Sequence, residues 1–366
     1  MMRDPGIIPV MVPRLPSADA VMPFMRRIDQ ARWYSNFGPL AAELNTGLAD
    51  LLGGGDGQIE CFTSGTAGLT VALQAVTGGR AGLCVMPAFT FCATAAAAIA
   101  AGLTPWFVDI TRQDCAITPG HVEALLPDLP GPVAAVMPVA PFGAPLDIAA
   151  WDDFTLRTGV PVVVDAAAAI DRVRPGRSLT MVSLHATKPL GVGEGGLLVS
   201  TDAGLIRQAR EWGNFGFANS RSSKVAGGNA KIDEYRAALG LAALAQWAAT
   251  RRDYMTVSTG YHRRLADNPR IRFLPGFDPH AVVGTLNVEL DVPAVPVMAR
   301  MRTLGVDTRQ WWGQGLHLEP AYAECGRGDL GVTDDLAPRI IGLPCYRDLS
   351  EAEIDTVCRA LLVAIG

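Results

Sequence analysis

Residues 161–170 read Pro-Val-Val-Val-Asp-Ala-Ala-Ala-Ala-Ile; further on come Ser-Leu-His-Ala-Thr-Lys at 183–188 and Gly-Glu-Gly-Gly at 193–196. The run Pro161 to Val164 is uniformly apolar, as in a parallel strand buried on both faces, and it ends in the carboxylate of Asp165. Carboxyl ends of such strands line the ligand crevice of an α/β sheet. A helix N-cap would explain the same aspartate. Lys188 follows 23 residues later in an apolar, glycine-rich stretch. Burial disfavours an ammonium and lowers its pKa, which makes such a lysine an amine nucleophile toward a carbonyl. A surface lysine with a solvated head is the plainer alternative.

Upstream, Thr63-Ser64-Gly65-Thr66-Ala67-Gly68-Leu69 precedes the apolar helical run Leu69, Val71, Ala72, Leu73, Ala75 and Val76. A helix N-terminus with hydroxyls and free N–H groups is a seat for phosphate. The stretch is neither GxGxxG nor a Walker loop, because no lysine follows the glycines at the required place. Strand-like runs at 83–86, 105–108, 133–139, 161–164, 180–184 and 196–200 alternate with helical segments, the pattern of a mostly parallel sheet covered by helices. A long helix is expected from after Asn229 to about Arg252, with strands at 271–274 and 283–290 and helices near 293–304 and 350–365 beyond it. The fold class is therefore α/β, with an arm over 1–40, a large domain over 41–250 and a smaller C-terminal α+β domain over 251–366.

Composition narrows the function. Of 366 residues, 49% are hydrophobic and 18% charged, which calls for a large core or a large subunit interface. A net charge of -5 with no basic cluster excludes a nucleic-acid footprint. Seven scattered cysteines without a CxxC pair suit reduced thiols and a cytoplasmic protein, and five scattered histidines offer no metal spacing. Residues 81–108 carry no charge, yet Pro87, Thr90, Thr94, Thr104 and Pro105 divide them into pieces too short to span a membrane. Arg3, Asp4 and Pro5 precede a short, proline-broken apolar run, so no signal peptide is expected.

In order, Asn36-Phe37-Gly38-Pro39, SGTAGL at 64–69, PAFTFCAT at 87–94, FVDI at 107–110, PFGAPLDI at 141–148, VDAAAA at 164–169, SLHATK at 183–188 and GEGG at 193–196 form a set. Asn229, Leu343-Pro344 and the SEAEID helix complete it. The set resembles the DegT/DnrJ/EryC1/StrS sugar aminotransferases, pyridoxal-phosphate enzymes of the aspartate-aminotransferase fold with a seven-stranded sheet. The resemblance implies that Lys188 carries the cofactor and shuttles protons, and that Asp165 faces its pyridinium nitrogen. It further implies that Phe91 lies on the ring, that Thr66, the backbone of Ala67, and Ser183 hold the phosphate, and that Asn229 reaches it from the second subunit of a homodimer. His185 and Glu194 flank the lysine, as substrate contacts or, for His185, as a structural histidine. Trp33, Lys231, Arg309 and Trp312 are candidates to bind or stack a nucleotide.

Two positions depart from the family pattern: Ala168 stands where glutamine is usual, and Ala230-Lys231 where Tyr-Arg is usual. The expected reaction is ping-pong transfer of an amino group, from glutamate by analogy, to a nucleotide-linked keto-deoxysugar. The departures leave open a non-catalytic cofactor-binding sensor, or an aminotransferase for a non-nucleotide ketone such as a cyclitol. Lys188 argues against a lysine-free sugar dehydratase of the same family.

Overall fold

The computed structural model describes residues 6–55 and 57–366. Arg3, Asp4 and Pro5, at the start of the expected arm, lie outside the described residues. The strands are β1 (Ile59–Phe62), β2 (Leu83–Pro87), β3 (Thr104–Val108), β4 (Val133–Val136), β5 (Val163–Asp165), β6 (Leu179–Ser183), β7 (Gly196–Val199), β8 (Ile271–Phe273), β9 (Leu286–Leu290), β10 (Gly326–Arg327) and β11 (Ile340–Leu343). Two four-stranded ladders, β1-β7-β6-β5 and β10-β3-β2-β4, meet through bridges of Val136 with Val162 and Val139 with Asp165. The result is one sheet in the order β1-β7-β6-β5-β4-β2-β3-β10. β7 alone runs against its neighbours β1 and β6. The other pairs are parallel. This is the mostly parallel sheet expected, with two edge strands outside the expected runs, β1 and the two-residue β10.

Helices cover both faces, so the inner strands are apolar throughout rather than alternating. The helix Gly65–Thr77 lies across β5, β6 and β7 and closes on Gly78 in the left-handed region at φ 62°. Its first turn packs closely: a β-carbon on Gly196 would fall 2.6 Å from both Cα and N of Gly65. That contact fixes the helix N-terminus against the ends of β6 and β7.

The smaller sheet, β11-β9-β8, is antiparallel and packs with the helices Ala294–Thr303 and Glu351–Ile365. The latter begins with a capping box between Ser350 and Glu353.

The single helix expected after Asn229 is two: Glu234–Ala245 and Trp247–Leu265, separated at Gln246 with φ -101° and ψ 0°. Asp233 sets the start by accepting the Arg236 N–H at 2.9 Å. The second helix runs into the small sheet's layer, packing against Glu351–Ile365. The arm region also holds more structure than expected. Ser17 caps a helix over Ala18–Ala31, whose buried Val21 and Ile28 face the helix Glu234–Ala245. The next helix, Pro39–Leu52, is held at its N-terminus by Glu234, which accepts the N–H groups of Leu40 at 2.9 Å and Ala41 at 2.8 Å.

Candidate active site

Asp165 ends β5 and is 5% exposed. Thr94 donates its hydroxyl to Asp165 Oδ2 at 2.9 Å, and the Ala167 N–H donates to Oδ1 at 3.2 Å. Thr90 Oγ1 lies 2.7 Å from the Thr94 hydroxyl and extends the chain. Burial raises the carboxyl above its usual range, and the two hydrogen bonds and the Lys188 charge pull it part of the way back.

Lys188 sits in the loop after β6. Its own N–H donates to the His185 carbonyl at 2.8 Å, making a tight turn. The flanks of the loop pair like a hairpin, Leu184 N–H to Gly195 O at 2.9 Å and Ala186 N–H to Gly193 O at 2.7 Å. Gly193 supplies the left-handed conformation, φ 89°, that this return needs. Burial lowers the lysine pKa, and the Asp165 carboxylate opposes that shift. Burial raises the acid and lowers the amine while the charge of each acts on the other, a combination characteristic of proton-transfer sites.

At the helix N-terminus, Ser64 is the cap: its hydroxyl accepts the Ala67 N–H at 3.1 Å. The first N–H groups of a helix have no acceptor within it, so those of Gly65 and Thr66 are open to an anion. Ser183, at the end of β6, is buried beside Gly65, and its hydroxyl accepts the His185 N–H at 3.2 Å. Phe91 begins the helix Cys92–Ala100 and is 54% exposed, leaving a ring face uncovered by the chain.

His185 and Glu194 meet beside the lysine. His185 Nδ1 accepts the Thr187 N–H at 3.3 Å, which puts the neutral ring's proton on Nε2, 3.6 Å from Glu194 Oε1. Asn229 is exposed and accepts from Lys231 Nζ at 2.7 Å, and that ammonium lies 4.8 Å above the Phe215 ring. Burial lowers the Lys231 pKa. The Ala230 carbonyl accepts the Thr63 N–H at 2.8 Å, so the segment lies beside the approach to Ser64. Trp312 stacks on Phe142 with centroids 3.9 Å apart and meets Phe89 edge-on at 4.9 Å.

Trp33 donates to the Ser35 carbonyl at 2.6 Å, and Arg309 lies 5.0 Å over the Trp311 ring. Thr94, Thr90, Phe89 and Phe142 were not among the expected site residues. For Thr94 and Thr90 the signal was available, since both lie within PAFTFCAT.

A separate cleft of about 630 Å³, containing Phe37, Asn45, the buried Glu60 and Arg210, shares no lining residue with the lysine loop. Among the described residues no group of three or more histidine, cysteine or acidic side chains is placed to hold a metal, and no helix is long and apolar enough to cross a membrane.

Residues 18–362 match the sequence model of the DegT/DnrJ/EryC1/StrS aminotransferase family. Protein Rv3402c of Mycobacterium tuberculosis is 30% identical over 378 aligned residues, covering 97% of this chain and 89% of its own. The dTDP-4-amino-4,6-dideoxy-D-glucose transaminase of Shigella dysenteriae is 31% identical over 263 residues, covering 70% of this chain and 69% of its own. Among solved structures, DesI, crystallised in the presence of its TDP-sugar product, superposes with a TM-score of 0.88 at 29% identity, covering 99% of this chain and 94% of that one.

Proposed function

Because the chain belongs to the DegT/DnrJ/EryC1/StrS aminotransferase family and is a pyridoxal-phosphate-dependent aminotransferase, we propose that it moves an amino group from an amino acid, glutamate in this reading, to a nucleotide-linked keto-deoxysugar. The observation that carries the residue assignment is the buried pair of Asp165, raised, at the end of β5, and Lys188, lowered, in the loop that follows the neighbouring parallel strand β6.

The residues present fit the cofactor. A helix N-terminus with two open N–H groups, the Ser183 hydroxyl, a buried carboxylate with its own donors, a desolvated amine and one uncovered aromatic ring match a phosphate, a ring nitrogen, an aldehyde and a flat ring in turn. Gly65, Thr66 and Ser183 would hold the phosphate, Asp165 the ring nitrogen, Lys188 the aldehyde carbon and Phe91 the ring face; the Ala67 N–H, expected there too, is taken by the Ser64 hydroxyl. When bound, the group supplies an electron sink for the bond broken at the donor's α-carbon.

The chain supplies proton transfer and order. Lys188 Nζ, kept neutral more readily by burial, takes a proton from the donor's α-carbon in the first half-reaction and, in the second, delivers a proton to the carbon that was the acceptor's carbonyl. Asp165, whose two oxygens accept from Thr94 and the Ala167 N–H, would hold a proton on the cofactor's ring nitrogen. The Glu194 and His185 pair contacts substrate at the mouth of the lysine loop, and Trp312 and Lys231 line the nucleotide side.

In this reading Asn229 serves the partner subunit's phosphate, so the working form is a homodimer with shared sites. Seven unpaired cysteines support a cytoplasmic location. The nucleotide-sugar substrate is supported by the relative named for a dTDP-amino sugar and by DesI with its TDP-sugar.

The test is the absorption spectrum of the purified protein with pyridoxal phosphate, before and after glutamate. A visible band that gives way to a near-ultraviolet one, restored by a nucleotide-linked keto sugar, is the expected result. A visible band unchanged by every amino donor would overturn the reading in favour of a sensor, and restoration by a cyclitol ketone alone would overturn the sugar assignment.

A further inference from the structure

Asn287, on β9, is 3% exposed, and neither its Nδ2 nor its Oδ1 has a hydrogen-bond partner among the described residues. Buried amides are rarely left so, because each unpaired group forfeits its hydration. The side chain lines a narrow slot with Phe142, Leu274, Phe277, Val283 and Thr285, wide enough for about one water-sized group.

The slot adjoins the lysine loop. A β-carbon on Gly284 would come 2.6 Å from the Thr187 carbonyl oxygen, so the segment leading into β9 packs directly on the turn that carries Lys188. On the opposite wall, Phe142 stacks on Trp312, and a β-carbon on its neighbour Gly143 would meet the Ala168 oxygen at 2.7 Å. Two residues before Phe142, the Ala140 N–H donates to the Asp165 carbonyl at 2.8 Å. The amide is thus held between the two structural layers that border the amine and the acid.

The lining specifies the ligand's chemistry. No charged side chain lines the slot, so nothing there compensates a phosphate, a carboxylate or an ammonium. An amide offers a donor and an acceptor side by side, and a hydroxyl, which both accepts and donates, satisfies the two together. A methyl group would leave both unmet. We propose that Asn287 is a specificity-determining residue whose amide reads one ring hydroxyl of the carbonyl acceptor. The inference rests on the sugar-aminotransferase reading and deepens it.

The test is a thermal-shift titration of wild type and Asn287→Leu, both loaded with pyridoxamine phosphate so that an amino sugar cannot react, with a thymidine-diphosphate-linked 4-aminohexose and its 2-deoxy and 3-deoxy analogues, alongside spectral conversion of the pyridoxal-phosphate form of the wild type by glutamate. Binding to the folded state raises the melting temperature without turnover. The wild type should bind one deoxy analogue about 10- to 100-fold more weakly than the parent sugar. Asn287→Leu, with the same heavy-atom branching as Asn and set in apolar surroundings, should fold, as its own melting transition shows, and lose that preference. Asn287→Ala should lose it too, by shortening the side chain. A preference that survives in both variants, or a wild type indifferent to every ring hydroxyl, overturns the assignment while donor conversion stands. Loss of donor conversion in the wild type overturns the aminotransferase reading and this inference together.

Discussion

Thr94 donates its hydroxyl to Oδ2 of Asp165 at 2.9 Å, from the first turn of a helix 71 positions upstream of the strand that carries the acid. Without that bond the carboxylate keeps only the Ala167 N–H and the Lys188 charge against its burial. Thr94→Val keeps the shape and removes the donor. The Asp165 pKa should rise further, so the acidic limb of the rate–pH profile should move to higher pH. A hydrogen bond to a charged group is worth about 1.5–3 kcal/mol, so a loss of roughly 10- to 100-fold at the acidic end is expected. An unmoved acidic limb would show that Asp165 does not govern it.

Lys188→Ala should leave the fold intact and lower the conversion of an amino donor by at least about 10²- to 10⁴-fold, the contribution of a positioned proton carrier. Stability should respond in the opposite sense. With a folded pKa below the ordinary 10.5, Lys188 sheds its proton in the native state before the unfolded state does. Between the lowered value and 10.5 the unfolded chain binds more protons, so cofactor-free stability should rise with pH through that window. Below it the buried ammonium is a liability. Lys188→Met should therefore be more stable than wild type near neutral pH, with a flatter dependence, as read by denaturant melts of the cofactor-free protein at several pH values.

Gly196→Ala tests the phosphate seat by geometry alone. The new carbon would fall 2.6 Å from Gly65 Cα and N and 2.8 Å from the Ser64 carbonyl carbon, all backbone atoms that cannot swing aside. The first turn of the helix must shift, at a cost of about 1–3 kcal/mol of overpacking. Cofactor affinity should fall more than the affinity of the loaded enzyme for its amino donor. Equal pyridoxal-phosphate affinity in mutant and wild type, by equilibrium dialysis, would remove this turn from the site.

Much of this site could be read from the chain because its parts are local. Val163, Val164 and Asp165 announce a buried strand and its acidic end, and Ser64 to Gly68 announce a helix start. What could not be read depends on residues far apart in sequence. Glu60 sits in the fully buried β1, where a carboxylate hides the strand pattern; its stabilising partners Asn45 and Arg210 come from two different helices. Glu234 looked like one more residue of a helical run, yet it caps a helix that starts at Pro39. The break at Gln246 has no glycine or proline to mark it. Asn287 and Phe142, 145 positions apart, meet only when the small sheet docks on the large one.

The helix cap supplied by Glu234 is a stability prediction independent of catalysis. Its side chain is 1% exposed as part of the residue, and its two oxygens each accept one backbone N–H. Glu234→Ala leaves both donors in a buried setting. At about 1–3 kcal/mol for each unmet group, the loss should total several kcal/mol and lower the melting temperature. Glu234→Gln, which keeps one acceptor, should recover part of it. A melting temperature equal to wild type in Glu234→Ala would show that water replaces the cap.

Asn229 decides whether a site belongs to one chain or to two. It is exposed, and its carboxamide oxygen is bound by Lys231 of its own chain at 2.7 Å. Asn229→Asp puts a negative charge where a phosphate is to be met and should impair cofactor binding through repulsion. In a homodimer with shared sites, Asn229→Asp and Lys188→Ala damage different halves of each site. Mixing the two inactive variants and letting subunits exchange gives half mixed dimers. Each mixed dimer has one site with both residues intact, so about a quarter of wild-type activity should return. If Asn229 serves its own chain's phosphate, every site in the mixture carries a lesion and no activity returns.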